Sequence, residues 1–320
     1  MVKTNSFTQE IKNEIVLNFD IVNKDKTISL LASYIRSNGF ITFKNGKVVL
    51  NIETENAQVI KFIYQLIRTY FPDSVARFIY SKSMRLNKNI KYILEIDDSE
   101  KIIEQLNLNF LESKININLT NKEEKVRGYI IGLFLACGSC NDPLSSNYHL
   151  EFSLKNEDYA QAVLKLTQKI KSVSFNFKTI NRRNNYVVYL KKSDLISDFL
   201  AYIEANDSCI KFENIRVDRD FNNVTNRLVN CDAYNYKKAI ENAESQIKMI
   251  EFVDKKLGIA SIQNLKLRNL CYLRKEFPEA SYSELAEKLS EKMEQTISKS
   301  NVNHLFRALK ELAKRLNYEN

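Results

Sequence analysis

A chain of 320 residues that is 44% hydrophobic and 27% charged, with 6 Gly and 3 Pro, has the composition of an ordered globular protein long enough for two cores. That excludes a disordered or fibrous chain. Its formal charge of +9 suits a polyanionic partner, but an AT-rich coding sequence also favours Lys, Asn and Ile, so charge alone leaves both readings open. No apolar run approaches the roughly 20 residues of a bilayer span. Met1–Asp20 lacks the apolar centre of a signal peptide, and five irregularly spaced cysteines make no disulfide framework. The expectation is a cytoplasmic protein with no membrane partner.

In chain order, Ser6-Phe7-Thr8-Gln9 reads as a capping box opening a first helix. A degenerate internal repeat follows, over about 26–96 and 125–192. Each copy begins with an apolar helix ending in glycine, Leu30 to Gly39 or Ile130 to Gly138, and both glycines read as left-handed helix stops. In the first copy Asn45-Gly46 reads as a tight hairpin turn, with Val48, Leu50 and Ile52 alternating inward; the matching strand of the second copy is Tyr148–Leu154. Then comes an amphipathic helix, apolar at Val59, Ile60, Phe62, Ile63, Leu66 and Ile67, or at Tyr159, Val163, Leu166 and Ile170.

A second, basic hairpin closes each copy. One carries Arg77, Lys82, Arg85, Lys88 and Lys91, the other Lys178, Arg182, Arg183, Lys191 and Lys192, and neither stretch contains an acidic residue. A charge run is ordinarily a solvated face; two unneutralised runs at equivalent places in a repeat favour phosphate contact.

Sheet signals stop near residue 207, which sets a domain boundary there. Residues 208–257 read as connecting helices, Ala233–Leu257 being the long one. Asn226, Arg227, Asn230 and Asn235 approximately share a face; they read as caps that pin the interdomain junction, or as contacts to DNA or another ligand.

In 258–320, Leu265–Phe277 is an amphipathic helix stopped by Pro278, and Ser281-Tyr282-Ser283-Glu284 is a capping box for a short helix through Leu289. The last helix runs from near Ser300 to Leu316, apolar at Val302, Phe306, Leu309, Ala313 and Leu316. At about 100° per residue, Asn303, Arg307, Lys310 and Lys314 fall in a sector roughly 60° wide. That arrangement is a helix-turn-helix recognition face. Asn suits adenine and Arg guanine, while Ser298, Lys299 and Ser300 sit where a helix N-terminus meets phosphate. An ordinary helical bundle with a solvated basic face is the competing reading.

Cys137-Gly138-Ser139-Cys140, with His149 near in sequence, has the spacing of half a zinc site, but no second pair exists, and Cys137 reads as a small buried residue of the seam. His304, one of 2 His in the chain, reads as a polar DNA contact. No metal, cofactor or catalytic residue is expected.

The helix-plus-glycine segments resemble the LAGLIDADG motif of homing endonucleases, whose fold packs two such helices beneath paired four-stranded saddles. Ala32, Ser33 and Gly132 would allow close approach, with Leu31, Ile35, Ile131 and Leu133 filling the seam. In the active enzymes an acidic residue directly before the glycine holds divalent metal; here those positions are Asn38 and Cys137, and the upstream acidic positions are Arg36 and Leu135. Neutral groups do not replace a carboxylate pair at hard cations, and Asp142 lies beyond the helix, so the resemblance implies binding without cleavage.

The whole chain is similar to the WhiA family of bacterial regulators. The likeness rests on Ser6-Phe7-Thr8-Gln9-Glu10, Asn226-Arg227-Leu228-Val229-Asn230-Cys231-Asp232 with Asn235, and Ser298-Lys299-Ser300-Asn301-Val302-Asn303-His304. It departs at Leu305 and Ala308, places usually basic, which implies weaker phosphate attraction or a different target. The resemblance implies an α+β fold, with a two-repeat LAGLIDADG homing-endonuclease-like domain before an all-α helix-turn-helix domain. It further implies a nucleoid-associated transcription factor acting in cell division and chromosome segregation. Double-stranded DNA is the partner, other transcription proteins a further class. A metal-dependent endonuclease, or an N-terminal sensor or protein-interaction platform, are the alternatives.

Overall fold

The computed structural model describes residues 6–44, 46–82, 90–110 and 112–318, positions 81 and 82 by backbone alone. The chain divides after Arg219 into two compact units. The first starts with α1 (Phe7–Asn18), whose capping box is formed: Ser6 Oγ accepts from Gln9 N at 3.3 Å and Gln9 Oε1 from Ser6 N at 3.1 Å.

Two copies of one pattern follow. The first is α2 (Lys24–Asn38), β1 (Gly39–Lys44), β2 (Lys47–Thr54), α3 (Ala57–Tyr70), β3 (Val75–Lys82), β4 (Ile90–Asp97) and α4 (Glu100–Gln105). The second is α5 (Glu123–Cys137), β5 (Gly138–Cys140), β6 (Leu150–Leu154), α6 (Glu157–Thr167), β7 (Lys178–Arg182), β8 (Asn185–Leu190) and α7 (Ser193–Tyr202). Each makes a four-stranded antiparallel sheet, in the orders β1-β2-β4-β3 and β5-β6-β8-β7. This is the two-repeat α+β architecture expected of the region.

The repeats meet where α2 packs on α5. Leu31, Ile35, Ile131 and Leu133 are fully buried there. A Cβ on Gly132 would lie 2.2 Å from the Leu30 carbonyl oxygen, and one on Gly128 would lie 2.1 Å from that of Lys26. Two glycines four apart on α5 therefore admit the backbone of α2, and Ser33 Oγ donates to the Tyr129 carbonyl at 2.7 Å across the seam.

Gly39 and Gly138 are not left-handed stops. Their φ values of −95° and −78° are extended, and each begins a strand directly. Glycine is favoured because of crowding: an added Cβ would meet Ile35 O, or the Phe134 ring, at 2.4 Å. The positive-φ turn lies at Gly46, φ 76°, where β1 and β2 pair up to Lys44 and Lys47; Asn45 lies outside the described residues. In the second copy the strand is shorter than Tyr148–Leu154, beginning at Leu150, and it is preceded by β5, too short to show alternation. Ile170 is buried, but beyond the end of α6.

α8 (Asn206–Leu257) is one continuous helix, not several connecting ones. Its start belongs to the first unit. Both Glu14 oxygens accept from the free Asp207 and Ser208 amides, at 2.6 and 2.9 Å. Phe212 is buried beside Phe7 and Tyr148, and Arg219 donates to the Pro143 and Ser145 carbonyls. These contacts carry the unit past residue 207.

The second unit packs the end of α8 with α9 (Leu265–Glu276), α10 (Tyr282–Met293) and α11 (Lys299–Arg315) around Ile250, Leu270, Leu285 and Leu309. Ser281 and Glu284 form the expected capping box, and α10 runs past Leu289 to a left-handed Glu294 at φ 49°. Among the described residues no helix is long and apolar enough to cross a membrane.

Candidate nucleic-acid interface

α11 is capped by Ser298, whose hydroxyl accepts from Asn301 N at 3.3 Å. Its buried stripe is Val302, Phe306, Leu309 and Ala313, with Leu316 half-buried at the end. Of the expected reading face, His304, Arg307, Lys310 and Lys314 are exposed, as are Ser298, Lys299 and Ser300, whereas Asn303 is half-buried. Lys314 reaches Glu311 at 3.2 Å, an acid on this side of the helix that the sequence reading left out. Among the described residues Lys299, Arg307 and Lys310 have no carboxylate within ion-pair distance.

The turn before α10 rests on a residue that pattern reasoning passed over. Arg274 is 1% exposed, donates to the Pro278 and Ala280 carbonyls at 3.1 and 2.6 Å, and lies 5.4 Å over the Phe306 ring. A buried arginine on α9 thereby ties the Pro278 turn to the core side of α11. Its only sequence signal is a cation on the helix flank that turns inward.

The basic hairpins are less free than their sequences suggest. The register sets Arg77 opposite Glu95, which it meets at 3.2 Å, while Asp97 lies 2.5 Å away. Lys91 pairs with Glu53 at 3.3 Å, and Arg182 with Glu151 at 3.6 Å. The reading of two unneutralised runs is corrected accordingly: Glu95 and Asp97 lie on β4 just beyond the first run, and Glu53 and Glu151 come from the neighbouring strands β2 and β6. Lys178 and Arg183 are exposed without an ion pair among the described residues, Arg183 in the β7–β8 turn at φ 58°. Arg85 and Lys88, and the side chain of Lys82, lie outside the described residues.

Where α2 and α5 end, a cavity of about 710 Å³ opens between the repeats. Asn38 and Cys137 line it side by side in the pseudo-symmetry, with Asn38 Nδ2 donating to Ala136 O at 3.3 Å and the Cys137 thiol to Leu133 O at 3.4 Å. Burial pushes the Cys137 thiol up to about 12, so it stays protonated at neutral pH. Arg36 also lines the cavity, held by the Asn109 and Glu112 carbonyls and 4.5 Å over the Tyr159 ring. Glu53, Glu55 and Glu112 stand on the wall as well, carboxylates that the sequence reading did not bring here because they lie on β2 and in loops.

Asn226, Arg227, Asn230 and Asn235 are exposed in the middle of α8. As caps they are corrected: amides there are bonded within the helix, and Asn235 Nδ2 instead donates to Cys231 Sγ at 3.6 Å. Cys140 is buried and its thiol is pushed up to about 12 by burial, while His149 bonds Glu151 at 2.7 Å and stacks on Tyr189. Among the described residues no three His, Cys, Asp or Glu side chains are grouped to hold a metal ion.

Three family models match along the chain: the WhiA N-terminal LAGLIDADG-like domain over 24–109, the WhiA LAGLIDADG-like domain over 126–222, and the WhiA C-terminal HTH domain over 225–313. The chain belongs to the WhiA family. A relative from Enterococcus faecalis, named probable cell division protein WhiA, is 35% identical over 315 residues, 97% of this chain and 98% of its own length. One of the same name from Staphylococcus aureus strain JH9 is 36% identical over 316 residues, 97% of each chain. The crystal structure of full-length DUF199/WhiA from Thermatoga maritima aligns with a TM-score of 0.57 and 21% identity over 97% of this chain and 99% of that one, a likeness of fold.

Proposed function

We propose that this WhiA-family chain is a non-catalytic, DNA-binding transcription regulator of cell division and chromosome segregation genes. In this reading it works at the nucleoid and meets other transcription proteins there. One observation carries it: Lys299, Arg307 and Lys310 stand exposed on α11 without carboxylate partners, whereas Arg77, Lys91 and Arg182 on the sheets are paired. Unpaired cations at the start and along one side of a helix are the groups that displace counterions from DNA and reach base edges. Lys178 and Arg183 leave the sheets a smaller, nonspecific share.

Binding without cleavage is supported by the donors at the helix ends. A two-metal displacement requires anionic oxygen ligands, and Asn38 offers a neutral amide, Cys137 a protonated thiol. Electrophoretic shift against genomic fragments tests the main claim. Arg307→Ala is expected to weaken binding about tenfold or more and to lower the salt slope by about one; charge reversal at Arg182 and Arg183 has little effect.

The rival reading, a metal-dependent nuclease, draws on the three cavity glutamates, although Glu53 is already paired with Lys91. Supercoiled DNA with Mg²⁺ or Mn²⁺ separates the two. Reproducible nicking that a chelator abolishes would replace the regulator reading.

A further inference from the structure

The cavity between the repeats contains a cation that has no ion pair among the described residues. Lys12, from the helix α1 that precedes both copies, points its amine toward the wall formed by Cys137 and lies 5.9 Å from the centre of the Phe134 ring. Its side chain is half-buried, and among the described residues it has neither a hydrogen bond nor an ion pair. Burial pulls the amine down to about 8, the response of a cation held where water is scarce.

The remaining wall is built for a small molecule. Its volume of about 710 Å³ falls within the roughly 300–1,000 Å³ typical of ligand pockets. Phe40 and Phe110 provide apolar surface, and Glu112, exposed and without an ion pair among the described residues, provides an acceptor at the rim. Arg36, Lys91 and Lys155 line the wall beside Glu53, Glu55 and Glu112, so with Lys12 the lining carries four cations against three carboxylates, a balance that favours an anionic ligand.

We propose that this cavity binds a small organic anion, a phosphate ester or carboxylate whose remainder carries hydroxyl groups, with Lys12 as its counter-ion and Glu112 accepting from the hydroxyls. The first unit is then a ligand-sensing domain. Nothing in this depends on the reading of α11, since binding is measured without DNA.

Calorimetric titration and thermal unfolding of the full-length protein test it, with ribose 5-phosphate and gluconate separating the two anion classes and inorganic phosphate reporting the charged end alone. One of the two sugar acids is expected to bind and to raise the Tm, more tightly than inorganic phosphate. Lys12→Met is expected to weaken that binding at least tenfold while its own ligand-free Tm equals or exceeds that of the parent, since an uncompensated charge is gone. Amide NMR shifts on the unsubstituted protein, expected at Asn38, Cys137 and Ser153, report occupancy even if that variant folds poorly. The proposal is overturned if no probe binds up to about 10 mM, a limit corresponding to negligible affinity, or if Lys12→Met binds unchanged. It is equally overturned if duplex DNA displaces the ligand competitively, which would make Lys12 a backbone contact.

Discussion

Replacing Gly132 by alanine puts a methyl carbon 2.2 Å from both the Leu30 carbonyl oxygen and Ser33 Oγ, where ordinary contact begins at 3.4 Å. Neither neighbour is the free end of a flexible chain: one is helix backbone and the other is hydrogen-bonded to Tyr129 O. α2 and α5 must therefore separate locally by about 1 Å, a displacement that overpacked cores resist at about 1–3 kcal/mol. Loss of the Ser33 bond adds about 1 kcal/mol, and the better helix propensity of alanine returns about the same. The net expectation is destabilisation of the first unit by about 2 kcal/mol. Since two units do not unfold as one transition, the readout is local: amide hydrogen exchange along α2 and α5, with urea midpoints by circular dichroism beside it. Gly46→Ala is the control, strained at φ 76° but with nothing within 4 Å of the new carbon, and costs about 1 kcal/mol without touching the seam. If Gly132→Ala left exchange in both helices as slow as in the parent, the close-approach account of this seam would be wrong.

Other perturbations read other parts of the chain. Arg274→Met would leave the Pro278 and Ala280 carbonyls without their donor and lower the stability of the second unit by about 2 kcal/mol, visible as faster exchange in α9 and α11. Arg183→Gly would relieve a left-handed residue at φ 58° and raise stability by about 0.5–1 kcal/mol, measured as an upward shift in urea midpoint. For Lys12 the amine is lowered from 10.5 to about 8, so between those values the unfolded chain still holds a proton that the native chain has released. The unfolded state then binds more protons, and native stability rises with pH across that window by about 2 kcal/mol after allowing for its partial exposure. Urea midpoints taken from neutral to alkaline pH should show that rise in the parent and lose it in Lys12→Met.

Much of the fold was legible because its signals are local. The Ser6–Gln9 and Ser281–Glu284 capping boxes, the α3 stripe from Val59 to Ile67 and the α11 stripe from Val302 to Ala313 each depend on residues a few positions apart. The glycines divided differently. The sequence marks Gly132 as a point of close approach but gives no such sign at Gly128, and the left-handed role that a helix-ending glycine suggests at Gly39 and Gly138 is ruled out by their extended φ. A glycine that ends a helix by turning and one that ends it by yielding to a neighbour look alike in sequence; only the partner backbone distinguishes them. Residue 207 marked the end of sheet signals well enough, yet Phe212 and Arg219 fasten the start of α8 to residues near 7 and 145, contacts no local pattern announces.

Charge divides along the same line between near and far. On a helix the groups able to neutralise a cation lie three or four positions away, so the free state of Lys310 can be checked by eye along α11, whereas Glu311 is within that spacing of both Arg307 and Lys314 and pairs with Lys314. In an antiparallel sheet the neutralising group sits on another strand: Arg77 finds Glu95, Lys91 finds Glu53, and Arg182 finds Glu151, each across at least 18 positions. A basic hairpin can thus contribute little net field once the carboxylates on its paired strands are counted, while a helix with fewer cations contributes more of it. Lys12 is the extreme case, because its isolation follows from the union of α1 with two repeat copies over 120 residues away in part, and no count of charges along the chain could have singled it out.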